Sequence, residues 1–288
     1  GKILSRYDMA NLIFNALNIQ TYSQSSFADN VAQLTQSGTL LGSVFDAELK
    51  TGIIVADGIT SLSYSAEARK SYLTIDGNEY LCSLQSPAIY AGNMVEYICV
   101  DTEIISLADD EKHSVRQSIA HDDIISLDTD AVTYLAESNS ASSISFSDNF
   151  KVVYNGIVQQ SYSFDDLFPE YGHLECIDWE GDGSVDILRI WDAINLIAGG
   201  VNKNEGIIID KNNRSLVLNI AKYEDQFDLV KNDISITCQD ISADSVLTIY
   251  ADKFVETNGK RFIDFDKFSY CKILVNSEKI AGTITELD

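Results

Sequence analysis

The sequence predicts a mainly-β chain: two small β-barrel- or sandwich-like domains preceded by one N-terminal helix. Three observations predict it. Short runs of β-branched and aromatic residues alternating with polar ones recur along most of the chain. Asp-Gly and Asn-Gly pairs stand between several of these runs, and such pairs accept the positive φ angles of tight hairpins. Convincing helical spacing occurs once, near the start. With 288 residues, the chain is long enough for two modest cores. The expected division is 1–35 for the helix and a linker, 36–130 for a first β domain, and 131–288 for a second that ends in the start of a further β unit.

Residues 5–18, SRYDMANLIFNALN, carry the helix. Ser5 is its N-cap and Asp8 an acidic partner three residues on. Met9, Leu12, Ile13, Ala16 and Leu17 make its apolar stripe. Residues 21–37, TYSQSSFADNVAQLTQS, read as a polar linker with a short helical turn. Strand signals follow at Leu40–Leu49, Gly52–Ala56, Ser71–Ile75, Asn78–Ser83 and Met94–Val100. Asp76-Gly77-Asn78 is a hairpin turn and Gly92-Asn93 another. Such a density of short strands suits a small barrel or sandwich.

Residues 108–123 are charged and contain His113 and His121, which read as part of a solvated connection or, beside acids, as metal ligands. Ile124–Leu127 resumes a strand. Residues 137–149, ESNSASSISFSDN, are Ser-rich and read as a loop or sheet edge. Asn155-Gly156 in FKVVYNGIVQQ is a strong hairpin signal. Pro169 and Gly172 break any helix in SFDDLFPEYG. In the last third, Lys211-Asn212-Asn213 and Asn258-Gly259 are turns between further strands. A weak repeat of Gly, three β-formers and an acid appears at Gly42–Asp46, Gly52–Asp57, Gly206–Asp210 and Gly282–Glu286. The same pattern is common wherever a strand begins.

The stretch Glu175–Trp191, ECIDWEGDGSVDILRIW, is the most site-like part of the chain. Oxygen-bearing side chains fall at alternate positions: Asp178, Glu180, Asp182, Ser184 and Asp186. In a loop that coils back on itself this spacing suits a hard cation, and Ca²⁺ is the cofactor it points to. Equally, it makes an ordinary solvated hairpin tip. Against the twelve-residue EF-hand pattern, Glu180 stands where Asp or Asn is usual, and Arg189 occupies the closing position that needs a bidentate Glu. The flanks also read as strands. A second cluster, Asp165, Asp166, Glu170 and Glu175 near Phe164, Phe168, Tyr171 and Trp179, has the residue types of a glycoside hydrolase.

Composition narrows the partners. With 44 acidic and 20 basic residues, the net charge of −24 repels phosphate backbones and anionic lipid, so nucleic acid is excluded as a partner. No apolar run approaches the roughly 20 residues of a membrane-spanning helix. The five cysteines, Cys82, Cys99, Cys176, Cys238 and Cys271, are scattered without CxxC pairs and read as small buried hydrophobes. No nucleophile elbow and no phosphate-binding glycine loop is present. The chain opens Gly1-Lys2 directly ahead of a helix, without a signal-peptide pattern, and reads as a piece of a longer protein.

One resemblance joins these features. SRYDMANLIFNALNI resembles the closing helix of an S-layer homology module, matching it at Ser5, Arg6, Ala10, Leu12, Ile13, Ala16 and Leu17. IDWEGDGSVDILRIWD, VVYNG, LFPEYG and the terminal GTITELD are similar to elements of the β-rich region that follows these modules in surface proteins of Gram-positive, clostridia-like bacteria. The resemblance implies an extracellular location on the bacterial cell surface and a non-catalytic structural or adhesive role. Cell-wall polymer or other surface proteins would be its partners. A carbohydrate-active envelope enzyme and a Ca²⁺-stabilised ligand-binding module are the alternatives.

Overall fold

A computed structural model describes residues 13–28, 31–84, 90–110, 115–214, 216–232, 234–257 and 260–276. The chain is mainly β, as expected. Of the N-terminal helix, residues 13–17 are helical, while Ser5, Asp8, Met9 and Leu12 lie outside the described residues. Residues 21–28 and 31–37 form no linker. They belong to a two-stranded antiparallel ribbon, β1 (Gln20–Ala28) and β2 (Val31–Thr39). Residues 40–45 are helix α1 (Leu40–Phe45) where a strand was expected. Thr39 caps it, its Oγ1 accepting from Gly42 N–H at 3.2 Å, and Asp46 ends it in the left-handed conformation. Gly42 therefore opens no strand, and the repeat loses that member; Gly282 lies outside the described residues.

The first sheet is a closed five-stranded barrel. Its strands are β3 (Ala47–Ala56), β4 (Tyr72–Ile75), β5 (Asn78–Cys82), β6 (Met94–Val100) and β7 (Glu103–Asp109), in the order β3-β4-β5-β7-β6. The predicted turn at Asp76-Gly77 joins β4 to β5, with φ of 47° and 81° at its two residues. Strand β6 shows why the sequence alternates: Val95, Tyr97 and Cys99 point into the barrel with Ile54, Ile75 and Ile104.

The second sheet takes β8 (Val115–Ala120), β9 (Ile124–Leu127), β10 (Ala131–Leu135), β11 (Ala141–Tyr154), β12 (Ile157–Val158), β13 (Gly172–Asp178) and β14 (Ser184–Asp192). The order is β8-β13-β14-β11-β10-β9, with β12 folded back on β11. The expected boundary at 130/131 falls in the hairpin between β9 and β10, where Leu127 pairs with Val132. Residues 141–149 are strand and not a loop, because Ile144, Phe146 and Phe150 pack on the core formed by Leu174, Leu188 and Ile190. The Asn155-Gly156 hairpin joins β11 to β12 with φ of 47° and 91°.

The third sheet takes β15 (Ile194–Asn202), β16 (Ile207–Asp210), β17 (Val217–Asn219), β18 (Phe227–Lys231), β19 (Ile234–Ser235), β20 (Val246–Ala251) and, beyond a small ribbon of β21 (Phe254–Thr257) and β22 (Lys260–Ile263), β23 (Cys271–Asn276). Its order is β17-β16-β15-β20-β23-β18-β19 over a core of Leu196, Ile208, Leu247, Ile249 and Ile273. The predicted Lys211–Asn213 turn lies between β16 and β17; the Asn258-Gly259 turn lies outside the described residues. Strands on both sides of the expected boundary share the second sheet, and the third lies within residues 194–276. Four cysteines are buried as expected, Cys238 is half-buried, and all five are free. Among the described residues, no helix is long and apolar enough to cross a membrane.

Strand β14 is the hub. A central strand has two faces, and both are buried here from Ile187 to Asp192. Leu188 and Ile190 face the sheet's own core. Ile187, Arg189 and Trp191, on the opposite face, meet the barrel and the third sheet.

Candidate functional site

The acidic turn joins β13 to β14 as a hairpin tip. Asp178 is buried, and its carboxylate accepts from Gly181 N–H at 2.7 Å and from Gly183 N–H at 2.8 Å. Asp182 Oδ1 accepts from Ser184 N–H at 2.8 Å, and Asp186 Oδ2 from Trp179 N–H at 2.9 Å. Glu180 is exposed and Ser184 half-buried. The carboxylates spaced for a cation are thus turned onto the backbone donors of their own turn, the usual behaviour of Asp in a tight loop. Among the described residues, no three His, Cys, Asp or Glu side chains converge as a metal site. His121 donates through Nδ1 to the Pro169 carbonyl at 2.6 Å and packs on Phe168; His113 lies outside the described residues.

The turn instead positions Trp179. The Trp179 indole N–H donates to the Gly92 carbonyl of the barrel at 2.9 Å. Its ring packs against the cluster of Val153, Ile177 and Ile187, on which Leu62, from the connection between β3 and β4, also packs. Gly92 has φ of 98°, and a Cβ there would stand 2.4 Å from Ile187 Cδ1, so only glycine permits this approach.

Beside it lies Arg189, 1% exposed. Nη1 donates to Glu175 Oε2 at 2.7 Å across the hairpin, while Nη2 donates to Ala91 O at 3.0 Å and Asn93 Oδ1 at 2.9 Å in the barrel. Asn93 Nδ2 donates to Asp109 Oδ1 at 3.1 Å, and Asp109 is held by both terminal nitrogens of Arg116, at 2.8 and 3.1 Å. One polar chain therefore runs Glu175–Arg189–Asn93–Asp109–Arg116 between sheet and barrel. Burial alone would push the Glu175 carboxyl up, but the His173 ring beside it and the Arg189 charge outweigh burial and hold it down at about 2. Asp57 serves the barrel side of the junction: it accepts from Ile59, Thr60 and Ala91 N–H, each at 2.8 Å, and burial pushes its carboxyl up despite these donors.

A second junction ties the second sheet to the third. Asp192, 3% exposed, accepts from Glu170 N–H (2.9 Å), Tyr171 N–H (3.1 Å), Tyr154 O–H (2.7 Å) and Arg261 Nη2 (2.7 Å). Asn155 accepts from Asp192 N–H at 2.8 Å and donates to the carbonyls of Asp192 and of Ala251 in β20, at 2.8 and 2.7 Å. Lys272 of β23 closes the three-way meeting point, bonded to the Tyr90 hydroxyl with its ammonium over the Tyr90 and Trp191 rings.

The hydrolase-like residues are dispersed over this framework. Asp166 lines a cleft of about 450 Å³ with Tyr162, Phe254 and Arg261. Glu170 lines a different cleft and pairs with Arg261 at 3.2 Å. Glu175 is turned into the barrel junction as a held carboxylate, the opposite of the raised carboxyl a general acid needs. Phe164 stacks with Phe146 and lies tilted against Phe150.

Sequence reasoning passed over Arg189 except as a defect in a metal loop, and passed over Asn93, Asp109, Arg116, Asp192 and Arg261. For Arg189 a signal existed: an arginine in the run Ile-Leu-Arg-Ile-Trp is a charge on a strand buried on both faces. Compared with known proteins, the chain matches no protein-family model and shows no significant similarity to a curated protein.

Proposed function

We propose that this chain is a non-catalytic structural or adhesive module of a bacterial cell surface, a spacer whose β units act as one body. The observation that carries the reading is the use of its buried charge. Arg189 and Asp192, three residues apart on the hub strand, each spend their polar groups on the neighbouring unit or on residues that fasten it. Buried charges of this kind are costly unless paired, and here the pairing joins units and leaves none of these groups facing a cleft as a reactive acid. The negative surface and the resemblance of the first helix to an S-layer homology module supply the location.

Pulling the chain between its ends in an atomic-force instrument tests the spacer role. The expected record is one dominant rupture that drops in force in Arg189→Ala. Incubation with purified cell-wall glycan tests the absence of turnover; release of new reducing ends, abolished by Asp166→Asn, would replace the reading with a carbohydrate-active enzyme.

A further inference from the structure

The β1–β2 ribbon behaves unlike the rest of the molecule. Each strand has nine residues and, among the described residues, pairs only with the other strand, as in the shorter β21–β22 ribbon. Among the described residues, its side-chain hydrogen bonds stay within the ribbon, Gln36 to Gln20, Thr21 to Ser37, and Ser26 to Gln33, except at its base, where Thr39 caps α1. Its base is closed by Leu40 N–H donating to Ile19 O at 3.0 Å, next to the Gln20–Thr39 pair. An isolated two-stranded ribbon is marginal in water, and its outward edges offer unpaired backbone groups.

Edges of this kind are ordinarily blocked by charge, proline or bulges. The strand residues QTYSQSSFA and VAQLTQSGT contain no charge and no proline, in a chain of net charge −24, and the ribbon's register shifts between Thr21 and Tyr22 and between Gln24 and Ser26. Tyr22 and Leu34 lie on the same face, diagonally opposed, 60% and 62% exposed.

We infer that the ribbon is an association arm that pairs edge to edge, antiparallel, with the same ribbon of a second copy of this chain. The composition selects that occupant. An uncharged Ser/Thr/Gln edge gives an acidic or basic partner no charge to read, yet it complements itself, as the cross-strand Gln–Gln, Thr–Ser and Ser–Gln bonds within the ribbon show. Its length answers the electrostatic objection. Nine residues extend about 30 Å, so two fully overlapped arms keep the acidic bodies about that far apart. Screening acts over about 8 Å at physiological salt, and the repulsion between bodies is then largely cancelled. The inference does not rest on the cell-surface reading; either can fail alone.

Sedimentation velocity on the wild-type chain, from about 1 μM to about 500 μM, tests it across the range where specific contacts associate. At 0.15 M salt a reversible dimer is expected. At 0.01 M salt, where screening reaches about 30 Å, the dimer is expected to weaken by about tenfold or more. Ser23→Glu with Gln33→Glu, one charge on each strand, is expected to weaken it by at least about tenfold at physiological salt. The conservative Ser23→Thr with Gln33→Thr keeps it, separating charge from loss of the arm. Fluorescence of Trp179 and Trp191 reports that the body remains folded in both variants. A wild-type chain that stays monomeric throughout overturns the inference and leaves the edge to a strand of a different protein. A dimer with an unchanged constant in the glutamate variant overturns it as well.

Discussion

The hub strand and the β1–β2 ribbon treat polarity in opposite ways. At the hub, charged groups are taken out of water and each finds at least one partner beyond its own sheet: Arg189 pairs with Glu175 of its own sheet and with Ala91 and Asn93 of the barrel, its Nε staying buried without a partner, and Asp192 pairs with Tyr154 of its own sheet, with backbone donors ahead of β13 and with Arg261 of β22. In the ribbon, side chains are uncharged, those at 22–26 and 32–38 are exposed, and the outward backbone edge is the polar surface. The difference assigns the two regions different work. Removing a partner at the hub strands a buried charge, which costs stability. Adding a charge to the ribbon changes what it can meet and leaves the body intact.

The hub should break first. Arg189→Ala leaves Glu175 and the Asn93 side chain without their partner, and a loss of about 3–5 kcal/mol in urea unfolding is expected. Next comes pH. The Glu175 carboxyl is held at about 2 against an ordinary value of 4.5, so its contribution is complete above about pH 4.5 and is lost as pH falls through about 2. That lowering corresponds to a contribution on the order of 3 kcal/mol, and the stability gap between wild type and Glu175→Gln should narrow by about that much from pH 6 to pH 2. Asp182→Ala removes one exposed carboxylate–backbone bond from the hairpin tip and should cost about 1 kcal/mol, with the same melting temperature in EDTA and in millimolar Ca²⁺. A Ca²⁺-dependent rise abolished by Asp182→Ala would make the tip a metal site after all. Last, the ribbon pair Ser23→Glu with Gln33→Glu should shift unfolding of the body by less than about 0.5 kcal/mol. A larger loss would show that the ribbon is part of the folded body and erase the contrast.

Local chemistry was the legible part of this chain. Asp76-Gly77 and Asn155-Gly156 declare their hairpins because few residues accept left-handed φ, and the alternation in Met94–Val100 declares a half-buried strand. What depends on distant partners was not legible. Arg189 takes its meaning from Ala91 and Asn93, 98 and 96 positions away, and no spacing rule reaches that far. The ribbon was hidden by composition: Ser and Gln mark loops when alone, but here they pair with one another across the strands. Residues 141–149 were hidden in the same way, since the serines alternate with Ile144 and Phe146, which face the core. At the acidic turn the spacing of oxygens suits a tight hairpin tip and a cation loop alike, and it does not tell where each carboxylate points. Asp178 accepts from the turn's own N–H groups, because Gly181 and Gly183 let the backbone curl beneath it.

The central claim is that buried charge on β14 fastens barrel and sheets into one cooperative body. Scanning calorimetry of wild type and Arg189→Ala tests it most directly. A single transition is expected for wild type, with calorimetric and van't Hoff enthalpies equal, and two resolved transitions for Arg189→Ala as the barrel melts apart from the rest. Two independent transitions in the wild-type chain, or an Arg189→Ala profile that stays single at an unchanged melting temperature, would contradict it.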